Sequence, residues 1–157
     1  MATLITPSEV ARLAFPSEMQ PAHGAIQVGD VKVAEEFCLL PVIGQPLYER
    51  LLEGDYRELL TEYILEPLAL WVRSHIQPRI DLHSSPLGTM APKCDHGSSA
   101  DASQCRALQR SLRCEARQML QRLTRHLNDE AQNYPEYDPN QNIFNRIAVY
   151  GGLVQTL

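Results

Sequence analysis

Apolar positions return at helical spacing in five stretches of the chain, and the clearest two meet at a corner. Val33, Ala34, Phe37, Cys38 and Pro41 share one stripe. Leu47, Tyr48, Leu51 and Leu52 share a second, with Glu49, Arg50 and Glu53 left for the opposite face. Between the stripes stand Pro41, Gly44 and Pro46. Glycine is free to take the positive φ that closes a helix, and proline suits a first helical turn, where its missing N–H is not needed. The pattern therefore predicts helix, fixed corner, helix over 34–54, with Tyr48 anchoring the second arm.

The flanking segments complete an all-α reading. Thr6-Pro7-Ser8-Glu9 is a capping box with proline at the first helical position, and Ile5 and Val10 are spaced for a hydrophobic staple, which predicts a short helix over 7–15. Pro16, Pro21 and Gly24 interrupt the chain, after which Asp30 is expected to cap the helix entering the corner. Gly54 closes the arm beyond the corner, and Asp55 with Glu58 repeats the capping pattern. From Tyr56 to Ile76, the residues Leu59, Leu60, Tyr63, Ile64, Leu68, Trp71, Val72, His75 and Ile76 keep to one stripe. Pro67 lies inside it and predicts a kink or restart.

Pro78, Pro86, Gly88 and Pro92, with serines nearby, mark a long polar loop over about 77–100. The longest helix is expected from Asp101 to about Glu130, with Leu108, Leu112, Ala116, Met119, Leu120, Leu123 and Leu127 on its core face. Residues 133–157 carry Pro135, Pro139 and several asparagines, followed by an apolar run around Ile143, Phe144, Ile147, Val149 and Tyr150 and the ending YGGLVQTL. Such a tail has too little local content to fold alone, so it is expected to dock on its own body or pair with a partner strand. The organisation is thus a small bundle of about five helices over 1–132, interrupted by the polar loop and followed by an extended C-terminal tail over 133–157.

Composition narrows the class. A 157-residue chain buries roughly 70% of the surface its unfolded form exposes, enough for a core without disulfides or metal. Hydrophobic residues at 44% and charged residues at 21% argue against wholesale disorder. The most apolar stretch, 63–76, is broken by Glu66 and Arg73 and is too short to cross a bilayer, so no membrane role is expected; no signal peptide is visible either. Four cysteines in such a chain read as reduced thiols.

Charge is more informative in its distribution than in its sum of −5. Residues 106–126 hold six arginines against Glu115, a local +5, which leaves −10 for the rest. Arg106, Arg110, Arg113 and Arg117 form a ridge on the long helix, set apart from its apolar face. The ridge fits a solvated face, a subunit interface or a surface lining a DNA path.

Catalytic chemistry is thin. There is no phosphate-binding glycine loop, HExxH, GxSxG or EF-hand pattern, and the five histidines are scattered, with His75 read as a core or interface residue. Cys94, His96, Cys105 and Cys114 could in principle supply four zinc ligands. However, Cys105 and Cys114 are separated by nine residues on one predicted helix, a rise of about 13.5 Å and too far for one ion. Neither an enzyme nor a cofactor or metal site is expected.

The run LITPSEV at the N-terminus, the helix entering LLPVIGQPLYERL, the 56–76 helix, a polar loop and a final long helix together resemble the head-tail connector, or adaptor, proteins of tailed bacteriophages and prophages. The corner residues Pro41, Val42, Ile43, Gly44, Leu47, Tyr48 and Leu51 are also similar to a stretch that recurs in a group of uncharacterised prophage proteins. The resemblance covers most of residues 3–130. It implies a structural protein that assembles as a homo-oligomeric ring between the portal and tail-completion proteins, located in the virion and, during assembly, in the bacterial cytoplasm. DNA would pass through the lumen without sequence-specific binding. On that reading Arg106, Arg110, Arg113, Arg117, Tyr150 and Leu153 are the candidate interface residues, and the acidic body of one copy meets the arginine ridge of the next. The competing expectation is an accessory protein whose 106–126 helix contacts nucleic-acid phosphates.

Overall fold

Thr6 opens the first helix by the reciprocal bonding its spacing predicts. Its hydroxyl accepts the Glu9 N–H at 3.3 Å while its own N–H donates to the Glu9 carboxylate at 2.8 Å, and Ile5 and Val10 are both fully buried. The computed structural model describes residues 2–22, 24–81, 83–85, 88–90, 101–150 and 153–156. Over these residues the fold is an all-α bundle of five helices. They are α1 (Pro7–Ala14), α2 (28–43), α3 (Gln45–Glu53), α4 (57–81) and α5 (Ala102–Asp129).

Two of these helices are not uniform. Helix α2 is α-helical over Val28–Ala34, widens into a π-helical turn at Glu35–Leu39 and closes as α-helix over Leu40–Ile43. Helix α4 does the same, with Arg57–Leu59, a π turn at Leu60–Ile64, and Leu65–Asp81. The second π turn stands just before Pro67. A proline ring collides with the carbonyl four residues earlier and cannot donate to it, and a widened turn there takes up the extra room. The restart expected at Pro67 therefore takes the form of a π turn.

The predicted break at Pro78 does not occur, and α4 runs on to Asp81. Proline at 78 deprives the Ser74 carbonyl of its intrahelical donor. The Gln109 amide of α5 supplies that donor from across the interface at 2.9 Å. Beyond α4 the expected loop contains a short hairpin, β1 (His83–Ser85) with β2 (Gly88–Met90). The rest of 82–100 lies outside the described residues.

Helices α4 and α5 form the backbone of the bundle and run antiparallel, since Tyr63 stacks on His126 at one end and Ser74 meets Gln109 at the other. Leu68, Val72 and Ile76 from α4 and Leu112, Ala116, Leu120, Leu123 and Leu127 from α5 are buried along this seam. Helix α1 lies on the other flank of α4. Asp101, where the long helix is expected to begin, caps α5, accepting the N–H groups of Ser103 and Gln104 at 2.8 Å.

Several local expectations are corrected. Gln27, not Asp30, is the cap of α2. Asp30 lies three residues inside, where its carboxylate accepts the Gln27 N–H at 2.8 Å and pairs with Arg79 at 2.6 Å. Asp55 does not cap α4 but pairs with Arg50, and Tyr56 precedes the helix in the left-handed region at φ 53°. Phe37, placed on the core face by α-helical spacing, is 67% exposed, because the π turn rotates that position outward while Ala34, Cys38 and Leu39 stay buried. His75 is exposed and stacks on Trp71, and Leu108 lies at the exposed end of the α5 stripe.

The segment after α5 is not extended over 133–146. It turns at Ala131–Asn133 and folds back on the body, burying Tyr134, Tyr137 and Asn142. Asn142, with no exposed surface, donates to Tyr137 Oη at 2.8 Å and Thr124 Oγ1 at 3.2 Å, and accepts the Phe144 N–H at 2.9 Å. The strands β3 (Ile147–Tyr150) and β4 (Leu153–Thr156) then pair antiparallel.

A candidate docking site

Gly44 sits at φ 80°, ψ 161°, a region only glycine occupies without strain, and ends α2 where α3 begins. Because α2 stops there, the Pro41 carbonyl has no helical donor. The Ile143 N–H of the returning segment donates to it at 3.0 Å. The corner therefore serves as the dock for residues 142–146. Tyr48 ties its far side, donating at 2.7 Å to Glu35 Oε2, while the Leu4 N–H donates to the other carboxylate oxygen at 2.6 Å. Burial raises the Glu35 pKa in spite of these bonds, and burial beside that carboxylate also raises the Tyr48 phenol.

Docking of Ile143 and Phe144 beside the corner leaves a groove of about 350 Å³ between α2, α4, α5 and the returned segment. Phe37, Pro41, Val42, Trp71, Leu120, Ile143 and Phe144 form its apolar lining, with Cys38 at its base. Burial pushes the Cys38 thiol up to about 12, so it is a packed, unreactive side chain. Arg113 and Arg117 form the polar edge, and the Arg117 guanidinium lies 5.6 Å from the centre of the Phe144 ring. Phe37 at 67% and Ile143 at 43% are among the most exposed large apolar side chains described. An exposed apolar surface flanked by charge marks an interaction site more often than a solvated face.

Of the six candidate interface residues, the structure brings Arg113 and Arg117 to this groove. Arg106 and Arg110 are exposed on the same helix but outside its lining, and among the described residues none of the four arginines forms an ion pair. Tyr150 and Leu153 pair through their backbones in the β3–β4 hairpin, and their side chains lie outside the described residues. Sequence reasoning missed Phe37, Trp71, Ile143 and Phe144 as site residues. Helical spacing assigns Phe37 and Trp71 to a core, and Ile143 and Phe144 belong to an apolar run of the tail with no helical period; the π turn and the folded-back segment bring Phe37, Ile143 and Phe144 to one groove beside Trp71.

A second groove, of about 460 Å³, lies on the adjoining side of α2, lined by Leu40, Tyr48, Leu52 and the carboxylates of Glu35, Glu36 and Glu49, with Lys32 at its edge. Across the described residues no three histidines, cysteines or acids are grouped to hold a metal, and no helix is long and apolar enough to cross a membrane. Cys94 and His96 lie outside the described residues.

No curated protein and no solved structure matches the chain. One family signature does, over residues 39–146. It runs from the last π-turn residue of α2 to Arg146, where the docked segment ends, and so takes in the corner and every groove residue except Phe37 and Cys38. The chain thus belongs to the family of unknown function designated DUF6712.

Proposed function

We propose that this protein is a structural component of a tailed phage or prophage particle, a head-tail connector that joins portal to tail as a ring of copies. The reading rests on the resemblance of residues 3–130 to that class. The observation that carries it is the Phe37–Ile143 groove with Arg113 and Arg117: an apolar surface edged by two arginines on a body where, among the described residues, the buried polar side chains are internally bonded. Such a site suits docking of protein surface rather than turnover, since no acid, base and nucleophile converge on it. The decisive experiment is co-purification with the portal and tail-completion proteins encoded beside it, followed by electron microscopy. Rings in complex with these partners are expected; failure to bind any of them would refute the proposal.

A second reading is favoured by the four exposed arginines on one ridge of α5. A nucleic-acid-binding accessory protein would use them on phosphates, and its affinity would fall with salt by about one log-log unit per phosphate contacted. A fluorescence anisotropy titration with duplex DNA at low salt decides it, because no binding there removes this reading.

A further inference from the structure

The two grooves lie on neighbouring sides of one helix and are opposite in character. On α2, Phe37 and Pro41 face the first groove, and Glu36 and Leu40 face the second. The first carries two guanidinium groups and a phenyl ring standing proud of the surface. The second, with room for such a ring, is apolar at Leu40, Tyr48 and Leu52 and bears the exposed carboxylates of Glu36 and Glu49. Among the described residues neither Glu36 nor Glu49 is in an ion pair. The other conspicuous features are closed within the molecule: the Glu35 carboxylate is bonded to Leu4 and Tyr48, and His126 is stacked on Tyr63 and bonded to Tyr134.

We infer that the two grooves are the two halves of one contact between copies of this chain. Phe37 of one copy seats against Leu40 and Leu52 of the next, and Arg113 and Arg117 meet Glu36 and Glu49. The contact rests on the connector reading and names the partner of its site. Charge and shape select a second copy as the occupant: the first groove offers two cations around a knob, and the second offers a hollow with two carboxylates outside any ion pair, Glu49 bonded only to the Gln45 amide, against the one cation Lys32 at its edge. Because the two halves carry opposite charge, pairing either groove with its own kind would set like charges against each other and is disfavoured.

Two double variants test the contact, each confined to exposed side chains and each checked for an unchanged helical circular dichroism spectrum. Arg113→Glu with Arg117→Glu reverses one half; Glu36→Lys with Glu49→Lys reverses the other. In sedimentation velocity over a concentration series, the unaltered chain is expected to self-associate. Each double variant alone is expected to associate at least tenfold more weakly, and an equimolar mixture of the two to recover association. Phe37→Ala is expected to weaken it about tenfold as well. A chain that stays monomeric at millimolar concentration, double variants that associate normally, or a mixture without recovery would each overturn the contact. None of these outcomes bears on whether the unaltered chain binds portal and tail proteins, so failure here and failure of the connector reading are separable.

Discussion

Asn142→Ala tests whether the returning segment is held by its buried amide. The side chain has no exposed surface and makes three hydrogen bonds, to Thr124, Tyr137 and the Phe144 N–H. Alanine leaves the Tyr137 hydroxyl with Asn128 and the Thr124 hydroxyl with the Leu120 carbonyl, so neither loses its acceptor. The Phe144 N–H does lose its partner. With a typical bond contributing about 1 kcal/mol net and a stranded donor costing about 1–3 kcal/mol, the expected loss is about 2–4 kcal/mol. For a domain of this size that corresponds to a fall in melting temperature of about 5–15 °C. Urea unfolding followed by circular dichroism gives the free energy. Trp71, the single tryptophan, lines the groove beside Phe144 and reports the wall directly. Its emission is expected to shift to the red in the folded variant as Ile143 and Phe144 detach. A loss below about 0.5 kcal/mol with unchanged Trp71 emission would refute the reasoning.

Gly44→Ala is expected to cost about 1–3 kcal/mol for conformational reasons alone. The added methyl would meet only Gln141 Oε1 at 3.7 Å and Pro46 Cδ at 3.8 Å, ordinary contacts, so an unchanged urea midpoint would contradict the backbone argument. Burial raises the Glu35 pKa above its unfolded value, so its contribution to stability is full below the ordinary glutamate range and is lost as pH rises through the folded value. The urea midpoint of the unaltered chain, relative to that of Glu35→Gln, is therefore expected to fall with rising pH over that window; parallel profiles would exclude the effect. In a Cys94→Ser background, Ellman's reagent is expected to label exposed Cys114 rapidly at neutral pH and to leave Cys38 untouched until denaturant is added.

What the sequence made legible was chiefly what single residues decide locally. Thr6 with Glu9 announces a helix start because the box satisfies its own backbone donors. Gly44 and Gly54 announce helix ends because both need positive φ. The α5 stripe was legible because a long regular helix keeps its period. The groove was not, since two of its walls depend on distant partners. Phe37 is outward because of a π turn, which has no compositional mark, and Ile143 and Phe144 are in place because Asn142 and the Pro41 carbonyl hold them. The Pro78 break failed for a similar reason: Gln109, 31 residues away in sequence, supplies the missing donor. The arginines were visible from the start, yet which two border a groove was decided by the folded segment.

The π turns carry a consequence for how this fold tolerates change in length. Each behaves as an ordinary helix into which one surplus residue has been threaded, so the chain beyond it is turned by about 100° about the axis. Deleting one residue from 35–39 would restore a regular hydrogen-bond ladder and shift the register of everything before it. The helix itself would survive and gain regularity, but Phe37 would move off the rim of the groove. A relative one residue shorter at this point is therefore expected to keep a sound bundle while presenting a different face to its neighbours.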